Sequence, residues 1–241
     1  MAADEAGAPH MPPPQCLYAD GDLLVLAKPA GLLCVPGRGP DKQDCLSARA
    51  ARHWPGALVV HRLDQATSGL VLMARNLPTQ RCLSQAFAER QVAKRYQAVV
   101  RGQPGQADGA WSEIALPIAA DWERRPLRMI DPALGKPSLT RWRACGQGAA
   151  AGTMHVELEP VTGRTHQLRV HLAAIGHPIL GDALYADAAT LALAPRLLLH
   201  ASTLAFDHPT HGRPCRFELP ADFGQIGLQP LSIKREQLFF Q

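Results

Sequence analysis

Met154, Val156 and Leu158 alternate with His155, Glu157 and Glu159. A period of two sends alternate side chains to opposite faces, so this stretch is predicted to be a strand with one buried side. Other strand signals surround it. Leu23 to Ala27 and Leu70 to Ala74 are short apolar runs, and Tyr96 to Val100 is rich in β-formers. Leu197 to Phe206 and Cys215 to Leu219 supply later strands. Helical signals are fewer. Thr79 to Arg90 puts Leu83, Ala86, Phe87 and Arg90 on one face, with Pro78 at the entry. A second helix is predicted to begin near Thr165 and to carry Leu168, Val170 and Leu172 toward Ala174. The pattern predicts a mixed α+β domain on a large, mainly antiparallel sheet, with no internal repeat and no interior linker.

The chain has 241 residues, of which 46% are hydrophobic, enough for a substantial core and too many for a disordered protein. No apolar run approaches the roughly 20 residues that span a bilayer. Met1 to Pro14 has acids where a signal peptide has bases and lacks an apolar centre, so we read a flexible Pro-rich leader on a cytoplasmic protein. The net charge of +4 does not by itself imply nucleic acid; local concentration must do so. Arg124, Arg125 and Arg128 cluster near Trp122, Arg141 and Arg143 flank Trp142, and Lys94 and Arg95 precede Tyr96. Such interleaving suits phosphates and unstacked bases, and equally suits a solvated face with snorkelling side chains.

The six cysteines lie far apart without a CxxC pair, which reads as buried or idle thiols rather than a metal or disulfide framework. His166 and His171 share no HExxH or Cys/His ligand pattern. Gly37-Arg38-Gly39 lacks the Gly-Lys-Ser/Thr of a phosphate loop, and Pro137 breaks that pattern after Gly135-Lys136. No nucleotide or metal cofactor is implied.

One stretch carries chemistry: His61-Arg62-Leu63-Asp64-Gln65-Ala66-Thr67-Ser68-Gly69-Leu70. It sets a carboxylate beside a guanidinium in a short polar segment just before an apolar strand. An Asp held there by a rigid neighbour yet open to a ligand suits a nucleophile. Thr-Ser-Gly after Asp is also an ordinary turn.

This string resembles the signature of the RluA-type pseudouridine synthases, in which the Asp attacks a uridine in RNA. Further blocks resemble the family in the same order: Lys28-Pro29-Ala30-Gly31-Leu32, Lys94-Arg95-Tyr96-Gln97-Ala98, and Gly163-Arg164-Thr165-His166-Gln167-Leu168-Arg169-Val170-His171. Gly176-His177-Pro178-Ile179-Leu180-Gly181-Asp182 and Leu198-Leu199-His200-Ala201 complete the series, which runs from about residue 16 to about 223. The resemblance implies a bent mixed sheet with a cleft across its middle. It divides the chain into a leader (1–15), a catalytic domain (16–223) and a tail (224–241). Only about fifteen residues precede Cys16, too few for the small S4-type RNA-binding domain that many relatives carry. The catalytic domain is then expected to recognise RNA by itself.

The resemblance also implies roles. Asp64 is the catalytic carboxylate. Arg62 carries a flat guanidinium that can replace a flipped base in the stack, though a surface salt bridge or phosphate contact is the plainer role. Tyr96 lies beneath the flipped uracil, where its ring stacks and its hydroxyl exchanges a proton; the bland alternative is a half-buried strand tyrosine. Arg164 is assigned as the cation paired with Asp64, with phosphate binding at a helix start as the alternative. Whether Asp64 attacks C1′, attacks C6 or abstracts a sugar proton toward a glycal stays open.

Within the family the resemblance is closest to the dual-specificity type, on Leu32 to Arg38, Asp121 to Pro126 and Ala194 to Ala201. That implies a 23S rRNA stem-loop and the anticodon loop of certain tRNAs as RNA partners. Leu127 to Gly135 departs from that type, and Ser232 to Gln241 extends beyond the shared region. Isomerisation of only one of these RNAs or of another RNA stays open. So do two other classes: an RNA-binding or folding factor on the same scaffold, and a hydrolase that releases the base.

Overall fold

The computed structural model describes residues 12–103 and 109–223. Most of the expected leader and all of the expected tail lie outside the described residues. The chain forms strands β1 (Gln15–Ala19) and β2 (Leu23–Lys28), helix α1 (Leu46–His53), strands β3 (Leu58–Val59) and β4 (Ser68–Ala74), helix α2 (Leu77–Ala88) and strand β5 (Ala93–Arg101). Short strands β6 (Ser112–Ile114), β7 (Ile118–Ala120) and β8 (Arg128–Ile130) follow, then β9 (Thr140–Gln147) and β10 (Thr153–Pro160). Helices α3 (Gln167–Ala174) and α4 (Ala188–Leu191) precede β11 (Leu199–Asp207) and β12 (Pro214–Glu218).

Ten of these strands make one sheet, in the order β1-β2-β4-β11-β5-β10-β9-β6, with β3 on β4 and β12 on β11. Strands β7 and β8 form a separate hairpin. Among the strand ladders of the described residues only β4–β11 is parallel, pairing Ser68 and Gly69 with His200 and Ala201. The sheet is therefore mixed and mainly antiparallel, as the sequence predicts.

The apolar runs in β2 and β4 are continuous because both faces are covered. Leu23, Val25, Leu70 and Leu72 enter one core, while Leu24, Leu26, Val71 and Met73 enter another. Strand β10 keeps the predicted alternation. Met154, Val156 and Leu158 join a third core with Ala98, Val100 and Trp142, while Glu157 and Glu159 meet arginines on the far side.

Helix boundaries shift from their predicted places for identifiable reasons. Asn76 caps α2, its side-chain oxygen accepting the Thr79 N–H, so the helix starts before Thr79. It stops at Ala88 because Arg90 turns left-handed, with φ of 62°. Helix α3 starts at Gln167, after His166 takes a left-handed conformation with φ of 58°. The Gln167 side-chain carbonyl accepts from Arg164 N and Thr162 Oγ1, folding the preceding loop back on itself. Helix α1 is an addition that the sequence does not announce. Its cap is Cys45, whose sulfur accepts the Ala48 N–H at 3.4 Å, in place of the usual Ser, Thr, Asp or Asn.

Among the described residues, no helix is long and apolar enough to cross a membrane.

Candidate active site

Asp64 occupies the first position of a tight turn, its carbonyl accepting the Thr67 N–H at 3.1 Å. The turn is tied down from below. Gly31 N–H donates to the Gln65 carbonyl, and the Gln65 side chain returns a bond to the Gly31 carbonyl. Lys28 is 1% exposed, and its ammonium donates to the carbonyls of Pro29, Leu32 and Gln65. Burial lowers the pKa of Lys28 to about 8, against the opposing pull of Cys34 and Asp64. At the head of the same block, His61 Nε2 accepts the Leu72 N–H, and the ring stacks on Phe87 with centroids 4.5 Å apart.

The strand that follows must approach its neighbour unusually closely. Gly69 has φ of 118°, and a Cβ there would collide with the Ala201 backbone. Ala201 in turn pairs with Tyr96 across β5. Gly69, Ala201 and Tyr96 thus form a row across the sheet that brings the Asp64 turn toward Tyr96.

A cavity of about 550 Å³ opens there, a size suited to one small ligand or one extruded nucleotide. Asp64, Arg62, Tyr96 and Arg164 all line it, so all four predicted site residues converge. Arg90, Lys94 and Arg169 also line it, while Asp64 is the only carboxylate on the wall among the described residues. Five cations around one anion favour a polyanionic ligand. Burial, and then the charge of Asp64, hold the Tyr96 hydroxyl well above its ordinary range, so it stays protonated.

The expected pairing of Arg164 with Asp64 is not what forms. Arg164 donates from Nε and Nη2 to the Pro137 carbonyl, each at 3.4 Å, at the exposed rim. Arg169, five residues on, places Nη1 3.9 Å from Asp64 Oδ2. The cause is the left-handed His166, which delays the helix so that Arg169 rather than Arg164 points inward. Arg169 is 4% exposed and is gripped by Asp182, with Nε to Oδ2 at 2.8 Å and Nη2 to Oδ1 at 2.5 Å. Both arginines lie in the same motif, and the sequence pattern alone does not choose between them.

His166, which the sequence marks only as lacking a metal-ligand pattern, also reaches the site. Its Nε2 lies 3.9 Å from Asp64 Oδ2, and its Nδ1 lies 2.7 Å from the Tyr185 hydroxyl. Tyr185 also accepts the Arg128 N–H from the β7–β8 hairpin, at 2.9 Å. Burial lowers the pKa of His166, favouring the neutral ring, against the pull of Asp64.

The Arg–aromatic clusters separate into different environments. Trp142 is 8% exposed and belongs to the core, so Arg141 and Arg143 do not flank an accessible ring. Instead they stack with Arg95 on Trp111, at 5.3, 4.8 and 4.5 Å from its ring. Glu113, Glu157 and Glu159 pair with these arginines, so that face is balanced in charge. Trp122 differs: it is 71% exposed, with the Arg125 guanidinium 4.3 Å from its ring. Arg124 is paired with Asp121 at 2.7 Å.

Asp20, Asp22 and His208 bring together three groups able to ligate a metal, but their atoms are engaged with protein. Asp20 accepts from the Asp22 and Leu23 N–H groups and from Tyr18, and lies 3.0 Å from His208 Nε2; Asp22 accepts from Asn76 and Thr210. This is a staple between turns.

A mixed sheet with a cationic cleft around one turn-borne aspartate is the architecture of an RNA-modifying isomerase. The chain belongs to the RNA pseudouridylate synthase family, whose model matches residues 22–174. It is accordingly an enzyme that converts uridine to pseudouridine in RNA. It is 44% identical to the dual-specificity RNA pseudouridine synthase RluA of Escherichia coli strain K12, over 92% of this chain and 100% of that protein. The protein of the same name from Haemophilus influenzae is 40% identical over the same shares. Among solved structures, human RNA pseudouridylate synthase domain containing 1 superposes with a TM-score of 0.73 at 30% identity, covering 89% of this chain and 86% of that one.

Proposed function

We propose that Asp64 is the carboxylate that acts on the target uridine, within a catalytic unit spanning residues 16–223. The observation that carries this is the convergence of Asp64, Arg62, Tyr96 and Arg164 on one cavity from segments distant in the chain. A uridine in folded RNA does not present its glycosidic bond to protein, so the nucleotide must be extruded. Arg62, exposed on the Asp64 loop, occupies the vacated stack. Tyr96 forms the floor on which the uracil rests, and Arg164 binds phosphate at the rim. Arg169 is the fixed cation beside Asp64. The C1′–N1 bond breaks, the uracil turns within the cavity, C5 bonds to C1′, and the proton that C5 gives up is balanced by one taken up at N1, so that the net change is an isomerisation.

We further propose two substrates in the cytoplasm: a 23S rRNA hairpin and the anticodon loop of certain tRNAs. Support comes from the dual-specificity relatives and from the exposed Trp122–Arg125 stack on the hairpin whose Arg128 N–H bonds Tyr185 beside the cavity. Loops with unstacked bases are read by their edges and are cheap to flip. Purified protein should modify both isolated hairpins, and each should compete with the other for one site. The Asp64→Asn variant should lose at least about three orders of magnitude in rate while still binding both. Turnover by Asp64→Asn free of deamidated protein would remove Asp64 from this role. Failure on both hairpins with activity on another RNA would overturn the substrate assignment alone.

A further inference from the structure

Two donors address the same oxygen of Asp64. Arg169 Nη1 and His166 Nε2 each lie 3.9 Å from Oδ2. Arg169 has little freedom to adjust, because Asp182 holds it through two bonds and it is almost fully buried. His166 is held differently, by one hydrogen bond at the far side of its ring.

The hydrogen bonding of Tyr185 and the nearness of Asp64 together favour one tautomer of His166. Arg128 N–H already donates to the Tyr185 oxygen. The hydroxyl hydrogen is then free to go to His166 Nδ1 at 2.7 Å. Nδ1 is the acceptor, so the neutral ring carries its hydrogen on Nε2, the nitrogen facing Asp64. The opposite tautomer would set a lone pair of Nε2 against a carboxylate oxygen. The charged surroundings are consistent with a neutral ring: Arg169 on the same helix and Arg128 on the hairpin oppose its protonation, Asp64 and Asp182 favour it, and burial is the largest influence. Lys28 and Tyr96 face Asp64 from the sheet.

We propose that His166, set by Tyr185, is a positioning residue for Asp64: its Nε2–H steadies Oδ2 and leaves Oδ1 for the reacting nucleotide. The proposal rests on the assignment of Asp64 above. The gap of 3.9 Å is about 1 Å longer than an N–H···O hydrogen bond, and such bonds tighten when substrate fills a site. The left-handed backbone of His166 aims the ring back into the cavity instead of along the helix. The role also gives the Tyr185 hydroxyl and the Arg128 N–H a purpose in the chemistry.

The test compares His166→Ala, His166→Gln, Tyr185→Phe and the double variant His166→Ala/Tyr185→Phe on a hairpin substrate. Glutamine carries an N–H donor near the place of Nε2. We expect kcat of His166→Ala to fall by up to about 10²-fold, with KM within about twofold. The acidic limb of its kcat profile should move to higher pH, because the ionised carboxylate has lost a donor. His166→Gln should recover most of the rate. Tyr185→Phe should fall less, and should add little in the double variant because both act through one path. Unchanged kcat in His166→Ala, or a loss that glutamine does not recover and that leaves the acidic limb in place, overturns the proposal. Should His166→Ala fail to fold, Tyr185→Phe carries the test: a lower kcat with unaltered RNA affinity and a shifted limb supports it, and an unchanged kcat overturns it. Activity in Asp64→Asn would overturn the nucleophile assignment and this proposal together. An inactive Asp64→Asn beside an unimpaired His166→Ala overturns this proposal alone.

Discussion

Arg169 stands 3.9 Å from Asp64 with its fork already filled by Asp182, so the cation beside this carboxylate is held in place by the protein itself. A guanidinium that could rotate would lose part of its effect to reorganisation. This one contributes its charge at a set place.

Arg169 and Arg164 should therefore separate in kinetics. Arg169→Lys keeps a charge but loses the planar fork, and should lower kcat by roughly 10²-fold. Arg169→Ala should in addition cost about 3–5 kcal/mol of stability, because it leaves the fully buried Asp182 unpaired. Arg164→Ala should raise KM a few-fold with kcat close to wild type. Equal kcat losses in Arg164→Ala and Arg169→Lys would show that the rim arginine shares the inner role.

The two arginine–tryptophan clusters should respond differently to salt. Log affinity for RNA falls with log salt by roughly 0.7–0.9 per phosphate contact. Arg125→Ala should reduce that slope, and Arg124→Ala should do so less, because Asp121 already neutralises Arg124. Arg141→Ala and Arg143→Ala should leave it unchanged, since glutamates pair with both. Filter binding at several salt concentrations measures each slope, and a reduced slope in Arg143→Ala would bring the Trp111 face into the interface.

Buried histidines should make the protein acid-sensitive. Burial lowers the pKa of His61 to about 3 and those of His155 and His200 to about 4, from an ordinary 6.5. Below 6.5 the unfolded chain takes up protons that the folded chain refuses. The stability these groups permit is complete above 6.5 and is lost as pH falls toward 4 and then 3. Each can remove at most about 1.4 kcal/mol per pH unit. Urea unfolding between pH 7 and pH 5 should show the decline, and His155→Phe should make it shallower by up to one proton. A flat profile would mean that these rings are protonated in the folded protein.

Gly69→Ala should cost about 1–3 kcal/mol from its backbone angle alone. The collision with Ala201 adds to that by pushing β4 from β11. Activity per folded molecule should also fall, because the Asp64 turn leads directly into β4. Thermal melting together with rate per folded protein tests both halves, and a wild-type melting point would show that the strands have room to part.

The strands, the turn at Asp64 and the convergence of Arg62, Tyr96 and Arg164 were legible because each follows from local pattern or from a block in the sequence. The choice between Arg164 and Arg169 was not. It depends on one left-handed residue, His166, flanked by distant contacts: Gln167 donates to Leu139 and Thr140, and the His166 ring meets Tyr185. The inward turn of Trp142 is legible in the sequence. Thr140, Trp142 and Ala144 alternate with Arg141, Arg143 and Cys145, the same period of two that marks β10. Helix α1 stayed hidden because only Leu46 and Ala50 are buried on it and its cap is a cysteine.

The position of β11 has a consequence for how the enzyme is made. This strand comes late in the chain yet lies between β4 and β5, early strands that carry the Asp64 turn into the sheet and hold Tyr96. A nascent chain that has already released both strands still lacks the partner that joins them, and Arg169 and His166 emerge only shortly before it. Insertion of a central strand is a long-range step that must await most of the translation product. A chain that ends before β11 therefore lacks the strand that joins the Asp64 turn to Tyr96, and the cavity is assembled only late in synthesis.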